Sequence, residues 1–103
     1  MVTSFFPGRV RLRAPVFKDK LIVDTALKIL RQSDAVKNVE NNIKTGSVLL
    51  EYDPNRVPVE KLKPLVPFFM DLRQKALGFS GDEVQRQKIL EKLNEFDAMV
   101  KTW

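Results

Sequence analysis

Residues 36–54 of the chain read VKNVENNIKTGSVLLEYDP, a pattern that predicts two strands joined by a short turn. Apolar residues recur through 36–43, and apolar and polar residues alternate from 48 to 53. Gly46 lies between the two runs and supplies the positive φ that a short hairpin turn requires. The side chains expected to face the core are Val36, Val39, Ile43, Val48, Leu50 and Tyr52, and those expected on the other side are Leu49, Glu51 and Asp53.

Upstream of this hairpin, residues 8–15 read GRVRLRAP and alternate strictly, which is typical of a half-buried strand. One side of the strand would present Val10, Leu12 and Ala14 to a core. The other side would present three arginines, and prolines at 7 and 15 mark the ends because proline cannot donate to a ladder. We call the three residues Arg9, Arg11 and Arg13 the arginine stripe. The sequence shows no candidate for a fourth strand.

Three helical segments are predicted. Asp19 can cap a helix that runs to about Gln32. A long apolar helix begins near Pro58 and is expected to bend at Pro64 and Pro67. Residues 78–83, GFSGDE, supply a break and a fresh N-cap for a last helix over about 83–102, which carries apolar residues at alternating spacings of four and three. We interpret these apolar residues as an oligomer or docking seam formed by Ile89, Leu93, Phe96, Val100 and Trp103.

The GRVRLR opening at 8–13 and the TGSVLLEYDP stretch at 45–54 resemble heavy-metal-associated (HMA) domains of the cysteine-less kind, which occur alone or at the N-termini of bacterial P-type metal ATPases. The resemblance covers about residues 8–57. It implies an α/β (α+β) fold: a ferredoxin-like βαββα core whose antiparallel sheet lacks a clear fourth strand, followed by a C-terminal helix. We expect one domain, 1–103, in which 1–57 is the HMA-like βαββ portion. Residues 58–103 are then a helical extension that packs on the core or on a second subunit.

The chemistry of that family is missing from this sequence. HMA domains hold a soft metal on two cysteines in the loop after their first strand, and this chain has no cysteine and no histidine. The corresponding loop, 15–20, offers the carboxylate of Asp19 beside Lys18 and Lys20, which repel a cation. Nucleophilic triads and zinc sites draw on the same absent residues. We therefore expect no catalytic residues, no metal site and no cofactor, and we expect that the protein is not an enzyme.

Charge points to the arginine stripe as the partner-binding site. Residues 1–32 carry seven basic and two acidic side chains, whereas 33–55 carry two basic and four acidic ones. The stripe could dock an acidic protein surface, a nucleic acid or an anionic lipid, because guanidinium groups bind carboxylate and phosphate bidentately. Alternatively, Glu51 and Asp53 of the neighbouring strand could pair with the arginines. The sequence argues against specific RNA recognition, since the outward positions of these strands lack stacking aromatics.

The expected function is a non-enzymatic accessory module of bacterial metal homeostasis that has lost metal binding through cysteine. By resemblance it would act beside a membrane-associated metal transporter or a metal-storage compartment. A basic binder of nucleic acid or anionic membrane is the alternative, and a carrier of a hard metal such as iron through oxygen ligands is the third. We also expect a homodimer, and a cytoplasmic location, with peripheral membrane attachment left open, because residues 1–7 do not resemble a secretory signal.

Overall fold

The computed structural model describes residues 2–103, which form one antiparallel sheet with helices on one face. Spatial strand order is β1-β2-β4-β3. The core lies between the sheet and the helices. The strands are β1 (Val2–Phe6), β2 (Arg9–Arg13), β3 (Val36–Asn42) and β4 (Ser47–Tyr52), and the helices are α1 (Lys20–Arg31), α2 (Val59–Leu62), α3 (Val66–Leu77) and α4 (Glu83–Val100), with short 3₁₀ turns at Pro15–Lys18 and Lys63–Leu65.

The predicted α/β class is confirmed, and the arrangement is compatible with a ferredoxin-like fold. The expectation that the sheet lacks a fourth strand is wrong, because β1 occupies that place. Pro7 and Gly8 form a two-residue turn that brings Phe6 opposite Arg9 on β2. Gly8 has a φ of +90°, and a Cβ there would lie 3.1 Å from the carbonyl oxygen of Tyr52. The predicted first strand is therefore an interior strand, with β1 on one side and β4 on the other.

The central hairpin forms as predicted, with two local differences. Gly46 has a φ of +69°, and a Cβ there would lie 2.7 Å from the carbonyl oxygen of Ala14, so the turn requires glycine for conformation and for space. Ile43 lies beyond the end of β3 and is 43% exposed, which corrects its assignment to the core. Asn41 faces the helices instead. Its side-chain nitrogen donates to the carbonyl oxygens of Phe17 and Ser47 at 3.2 and 3.0 Å, tying the loop after β2 to the hairpin.

The helices begin where the sequence predicts. The carboxylate of Asp19 caps α1 by accepting from the backbone N–H of Ile22, and Asp82 caps α4 by accepting from that of Gln85. The predicted long helix is interrupted near its prolines: Pro64 lies in a 3₁₀ turn and Pro67 in the first turn of α3. Proline explains the break because it removes a backbone donor and clashes with the preceding turn.

The helices cover only part of the sheet. Helix α1 packs on β3 and on α4, and α3 packs on α4 and on the turn after β2. Within residues 2–103 no helix makes an extensive contact with β1 or β2. Val10 and Leu12 are accordingly only half-buried, and Phe5 beside them remains 50% exposed. The helical face of the β1–β2 half is thus partly open.

Candidate functional site

The face of the sheet that points away from the helices carries the arginine stripe, and we call it the outer face. All three arginines of the stripe are exposed. On β4 their direct partners in the ladder are Glu51 for Arg9, Leu49 for Arg11 and Ser47 for Arg13. The strands alternate strictly here, so the stripe projects from one face of β2 as predicted, at a repeat of about 7 Å.

The stripe is not neutralised by the neighbouring carboxylates. Glu51 lies directly opposite Arg9, but its Oε1 accepts a hydrogen bond from the side chain of Asn38 at 3.3 Å. Asp53 lies beyond β4, where its Oδ1 accepts from the backbone N–H of Asn55 at 2.9 Å. No ion pair within residues 2–103 includes an arginine of the stripe. The proposed internal pairing with Glu51 and Asp53 is therefore absent from this structure.

One arginine is held by the backbone. Arg13 Nε donates to the carbonyl oxygen of Thr45 in the β3–β4 turn at 3.2 Å, which fixes this end of the stripe against the hairpin. The guanidinium groups of Arg9, at the start of β2, and Arg11, at its middle, project without such a tether in residues 2–103. The outer face thus presents one oriented and two unconstrained guanidinium groups, each with donors available for carboxylate or phosphate oxygens.

Phe6 is a member of this face that the sequence analysis missed. It lies opposite Arg9 on the outer face and is 63% exposed. The signal was available: Val2–Phe6 is rich in β-branched and aromatic residues and is followed by Pro7-Gly8, a typical turn dipeptide. The face now offers an aromatic ring beside a guanidinium group. A single ring at the sheet edge is still not the two- or three-base platform of an RNA-recognition sheet.

The loop that corresponds to the family's metal site is closed by internal contacts. Val16 is buried, and Asp19 uses Oδ1 to cap α1 while its Oδ2 accepts from Arg86 Nε and Nη2 at 3.0 and 2.8 Å. Burial raises the pKa of Asp19, but the hydrogen bonds from Arg86 and from the Ile22 N–H outweigh it and hold that pKa below its usual value. The only carboxylate of the loop is thus committed to α1 and α4.

These residues do not fit a metal ion of the family's kind. A soft metal needs thiolate or imidazole ligands, which the sequence lacks. A hard ion needs several oxygen ligands, and residues 2–103 contain no cluster of three or more Asp or Glu side chains placed to hold one. The loop after β2 therefore acts as a structural brace, because it joins the sheet, α1 and α4 through Asp19 and Arg86.

The apolar residues of α4 lie in the core of the chain itself. Ile89, Leu93 and Val100 are buried and share one core cluster with residues of α1, β3 and β4, so these three are not accessible to a second chain as an oligomer or docking seam. Phe96 and Trp103 are half-buried, and their rings contact edge to face with centroids 5.8 Å apart. Beside Trp103 a shallow groove of about 640 Å³ runs between α4 and the 3₁₀ turn before α3. The two aromatic side chains belong to a cluster completed by Phe68 and Phe69.

Comparison with known proteins identifies the family. The sequence matches the model of heavy metal associated domain 2 over residues 1–99, so the match extends through the helices that the resemblance in 8–57 leaves out. No curated protein and no solved structure matches the chain. No helix in residues 2–103 has both the length and the apolar character that crossing a bilayer demands. The chain belongs to the family of heavy metal associated domain 2, and it is a member without cysteine.

Proposed function

We propose that this protein is a non-catalytic docking module of bacterial metal homeostasis, which recognises an acidic protein surface through the outer face of its sheet. Family membership supports a role in metal homeostasis. The sequence has no cysteine or histidine to coordinate a soft metal, which favours a role through protein contacts. The partner would be an acidic patch on a metal transporter or on the shell of a metal-storage compartment. The protein would then bring such a partner to a metal pathway without carrying the ion.

The arginine stripe forms no ion pair within residues 2–103, and this supports the proposal. Three guanidinium groups share a face that no helix of residues 2–103 covers, and their nearest carboxylate is engaged by Asn38. A row of like charges on one face creates a positive potential that attracts an anionic partner. Their rigid spacing on a strand fits a row of carboxylates on a partner, since each fork can take one carboxylate bidentately.

The charge distribution of the outer face favours one position for an acidic partner. Arg9, Arg11 and Arg13 lie on β2, whereas Glu40 and Glu51 lie on β3 and β4 of the same face. An acidic partner is attracted at the β2 side and repelled at the β3 side, so the partner is expected to lie over β1 and β2. Electrostatic asymmetry of this kind sets orientation and association rate more than affinity.

A second candidate, binding to an anionic membrane or a nucleic acid, is favoured by one observation: Phe6 lies exposed beside Arg9. A ring next to a guanidinium group can insert at a lipid headgroup boundary or stack on a base. The acidic-protein proposal ranks first because Leu49, not a second aromatic residue, continues the face beyond Arg11.

The two candidates are separated by titrating the protein, at one ionic strength, with three probes: an acidic peptide of Asp and Glu, vesicles rich in phosphatidylserine, and single-stranded RNA. Backbone amide shifts recorded by NMR report the site in each case. The proposal expects the peptide to perturb β1 and β2 at lower concentration than the other two probes. Preferential binding of vesicles or RNA at the same strands would replace it with the second candidate, and perturbations elsewhere would overturn both.

A further inference from the structure

Strand β1 is an unprotected edge. It pairs with β2 on one side, and no other strand of residues 2–103 lies on its other side. All five of its residues are exposed, and none is charged. Edge strands of soluble proteins are usually blunted by charged residues or proline, because an open edge pairs with other strands.

The opposite edge of the sheet shows the contrast. Strand β3 carries Lys37 and Glu40, and its register with β4 is irregular between Val36 and Asn38. Charge and irregular register both discourage pairing with a further strand. Strand β1 has an irregularity only near its start, between Val2 and Ser4, so Ser4–Phe6 remain regular and uncharged. The two edges of one sheet thus differ in their readiness to pair.

We propose that two copies of the chain pair through their β1 strands, antiparallel and centred on Phe5. The side-chain faces select this register. Phe5 lies opposite Val10 and so faces the helical side, whereas Ser4 and Phe6 lie opposite Arg11 and Arg9 on the outer face. Centring on Phe5 sets Phe5 against its own copy and Ser4 against Phe6, so that each pair shares one face. Centring on Ser4 would set Val2 against Phe6, which lie on opposite faces.

The backbone agrees with the same centre. The two-residue turn closes on Phe6 and Arg9, and hydrogen-bonded pairs alternate with non-bonded pairs along an antiparallel ladder. The pair of Phe5 and Val10 is then non-bonded, which directs the N–H and C=O of Phe5 toward the open edge. In the proposed pair the N–H of each Phe5 would donate to the C=O of Phe5 in the other copy.

Charge does not oppose a second copy of the chain at this edge. The chain carries a net charge of +5, which opposes association of two copies wherever basic residues meet. At β1 no basic residue meets another, and the nearest arginines, on β2, would be three strand spacings apart across the junction, about 14 Å. That separation exceeds the screening length of about 8 Å at physiological salt.

The size of the contact predicts a weak dimer. Val2, Phe5 and Phe6 are 58%, 50% and 63% exposed, and a phenylalanine side chain offers roughly 200 Å². Two copies would bury at most on the order of 600 Å² of this surface, below the roughly 1,200 Å² of a standard stable interface. We therefore expect association in the micromolar to millimolar range and exchange on a fast timescale.

Pairing would place two arginine stripes on one continuous outer face, because the helices of both copies would lie on the same side of the joined sheet. A partner with repeated acidic patches would then bind two stripes at once, with a gain from effective concentration. This consequence rests on the proposed function, whereas the pairing itself does not. A monomeric protein that binds the acidic peptide would overturn only the pairing, and a dimer that ignores the peptide would overturn only the docking.

A cysteine scan tests the register, since the chain has no cysteine of its own. Single Phe5→Cys, Ser4→Cys and Phe6→Cys variants are oxidised, and the cross-linked dimer is measured over time. Centring on Phe5 places the two residue-5 Cα atoms about 5.5 Å apart, within disulfide range, and the residue-4 or residue-6 pairs about 8 Å apart, beyond it. We expect cross-linking of Phe5→Cys to be at least about tenfold faster than that of the other two. Equal rates, or a maximum at another position, would overturn the register.

Sedimentation equilibrium provides the independent measurement. The wild-type mass is expected to rise above 11.9 kDa toward twice that value as concentration increases. Phe5→Lys, which sets like charges at the centre, should stay at the monomer mass. Val84→Lys, a matched change at an exposed valine of α4, should associate like the wild type. A wild type that remains monomeric at millimolar concentration, or equal association of all three proteins, would overturn the pairing.

Discussion

Arg9 and Glu51 lie directly opposite each other on adjacent strands, yet they form no ion pair, because the carboxylate of Glu51 accepts a hydrogen bond from Asn38 on the far side. This relationship divides the outer face into a basic half on β2 and an acidic half on β3 and β4. We expect an anionic partner to be attracted to the basic half. We also expect Glu51 to weaken the binding of such a partner, because its carboxylate lies next to the arginines.

Replacing Glu51 should strengthen binding of an acidic probe. Glu51→Gln removes a negative charge next to the stripe and breaks no ion pair of residues 2–103, so we expect several-fold tighter binding and a free energy of unfolding within about 0.5 kcal/mol of wild type. Titration with the acidic peptide measures the affinity. Glu91→Gln, at an exposed position of α4, is the control and should change affinity less. Weaker binding by Glu51→Gln would contradict the division of the face.

Metal titration tests the loss of coordination. Copper(I), zinc and ferrous iron should bind no more tightly than they bind a generic carboxylate surface, because the sequence supplies no thiolate or imidazole and Asp19 is engaged with Arg86. Isothermal titration calorimetry under anaerobic conditions measures this. A stoichiometric site of micromolar or tighter affinity for any of the three ions would contradict the account and would favour the carrier function.

The Asp19–Arg86 pair should make stability depend on pH in a defined direction. The folded-state pKa of Asp19 is lowered, so its contribution is present above the ordinary value of about 3.9 and is lost as pH falls through the folded-state pKa. Asp19→Asn keeps an oxygen to cap α1 but removes the charge. We expect the stability difference between wild type and Asp19→Asn to be largest near pH 6 and to shrink toward pH 3.

Chemical denaturation at a series of pH values measures that difference. Two other carboxyl groups have lowered pKa values: Asp71, through hydrogen bonds from Lys75 and Lys92, and Glu83, through hydrogen bonds from Gln87 and Arg86. Asp71 and Glu83 are present in the wild type and in Asp19→Asn alike. Asp19→Ala is the second variant, and it should lose roughly a further 1 kcal/mol because the N-cap is removed as well. A difference that grows as pH falls would refute the assigned role of Asp19.

The burial of Ile89 distinguishes a core residue from an interface residue. Ile89→Ala should lower the free energy of unfolding by about 2–5 kcal/mol, because a fully buried side chain leaves a cavity. The loss should be the same at low and high protein concentration, since the cavity lies within one chain. Val84→Ala on the same helix is the control and should cost little. A loss of unfolding free energy that depends on protein concentration would show that Ile89 contacts a second chain.

The sequence predicted the parts of the fold whose signals are local. Alternation in 8–15, the turn glycine at 46, the cap at Asp19 and a cap within 78–83 all depend on neighbours along the chain, and all are found. Strand β1 was missed because five residues before a Pro-Gly turn carry little periodicity. The α4 seam was misread because heptad spacing does not say whether the facing surface belongs to the same chain or to another. Tertiary contacts with α1 decide that question.

The position of the candidate site was predictable from the sequence, but whether its arginines form ion pairs was not. Alternation alone placed Arg9, Arg11 and Arg13 together on one face. Whether Glu51 and Asp53 would neutralise them depended on competing hydrogen bonds from Asn38 and from a backbone N–H, which no pattern along the chain reveals. Phe6 joined the face only through the pairing of β1 with β2.

A matched pair of triple variants tests whether the arginine stripe docks an acidic partner. One variant replaces Arg9, Arg11 and Arg13 by Gln, and the other replaces the exposed residues Lys28, Arg31 and Lys88 by Gln, so both lose three positive charges from +5. Both should melt close to the wild-type temperature. At physiological salt the stripe variant should bind the acidic peptide roughly threefold to a hundredfold more weakly, given about 0.2–1 kcal/mol for each exposed contact. The other variant should bind nearly as the wild type does. Equal losses in the two variants, or wild-type affinity in the stripe variant, would contradict the account.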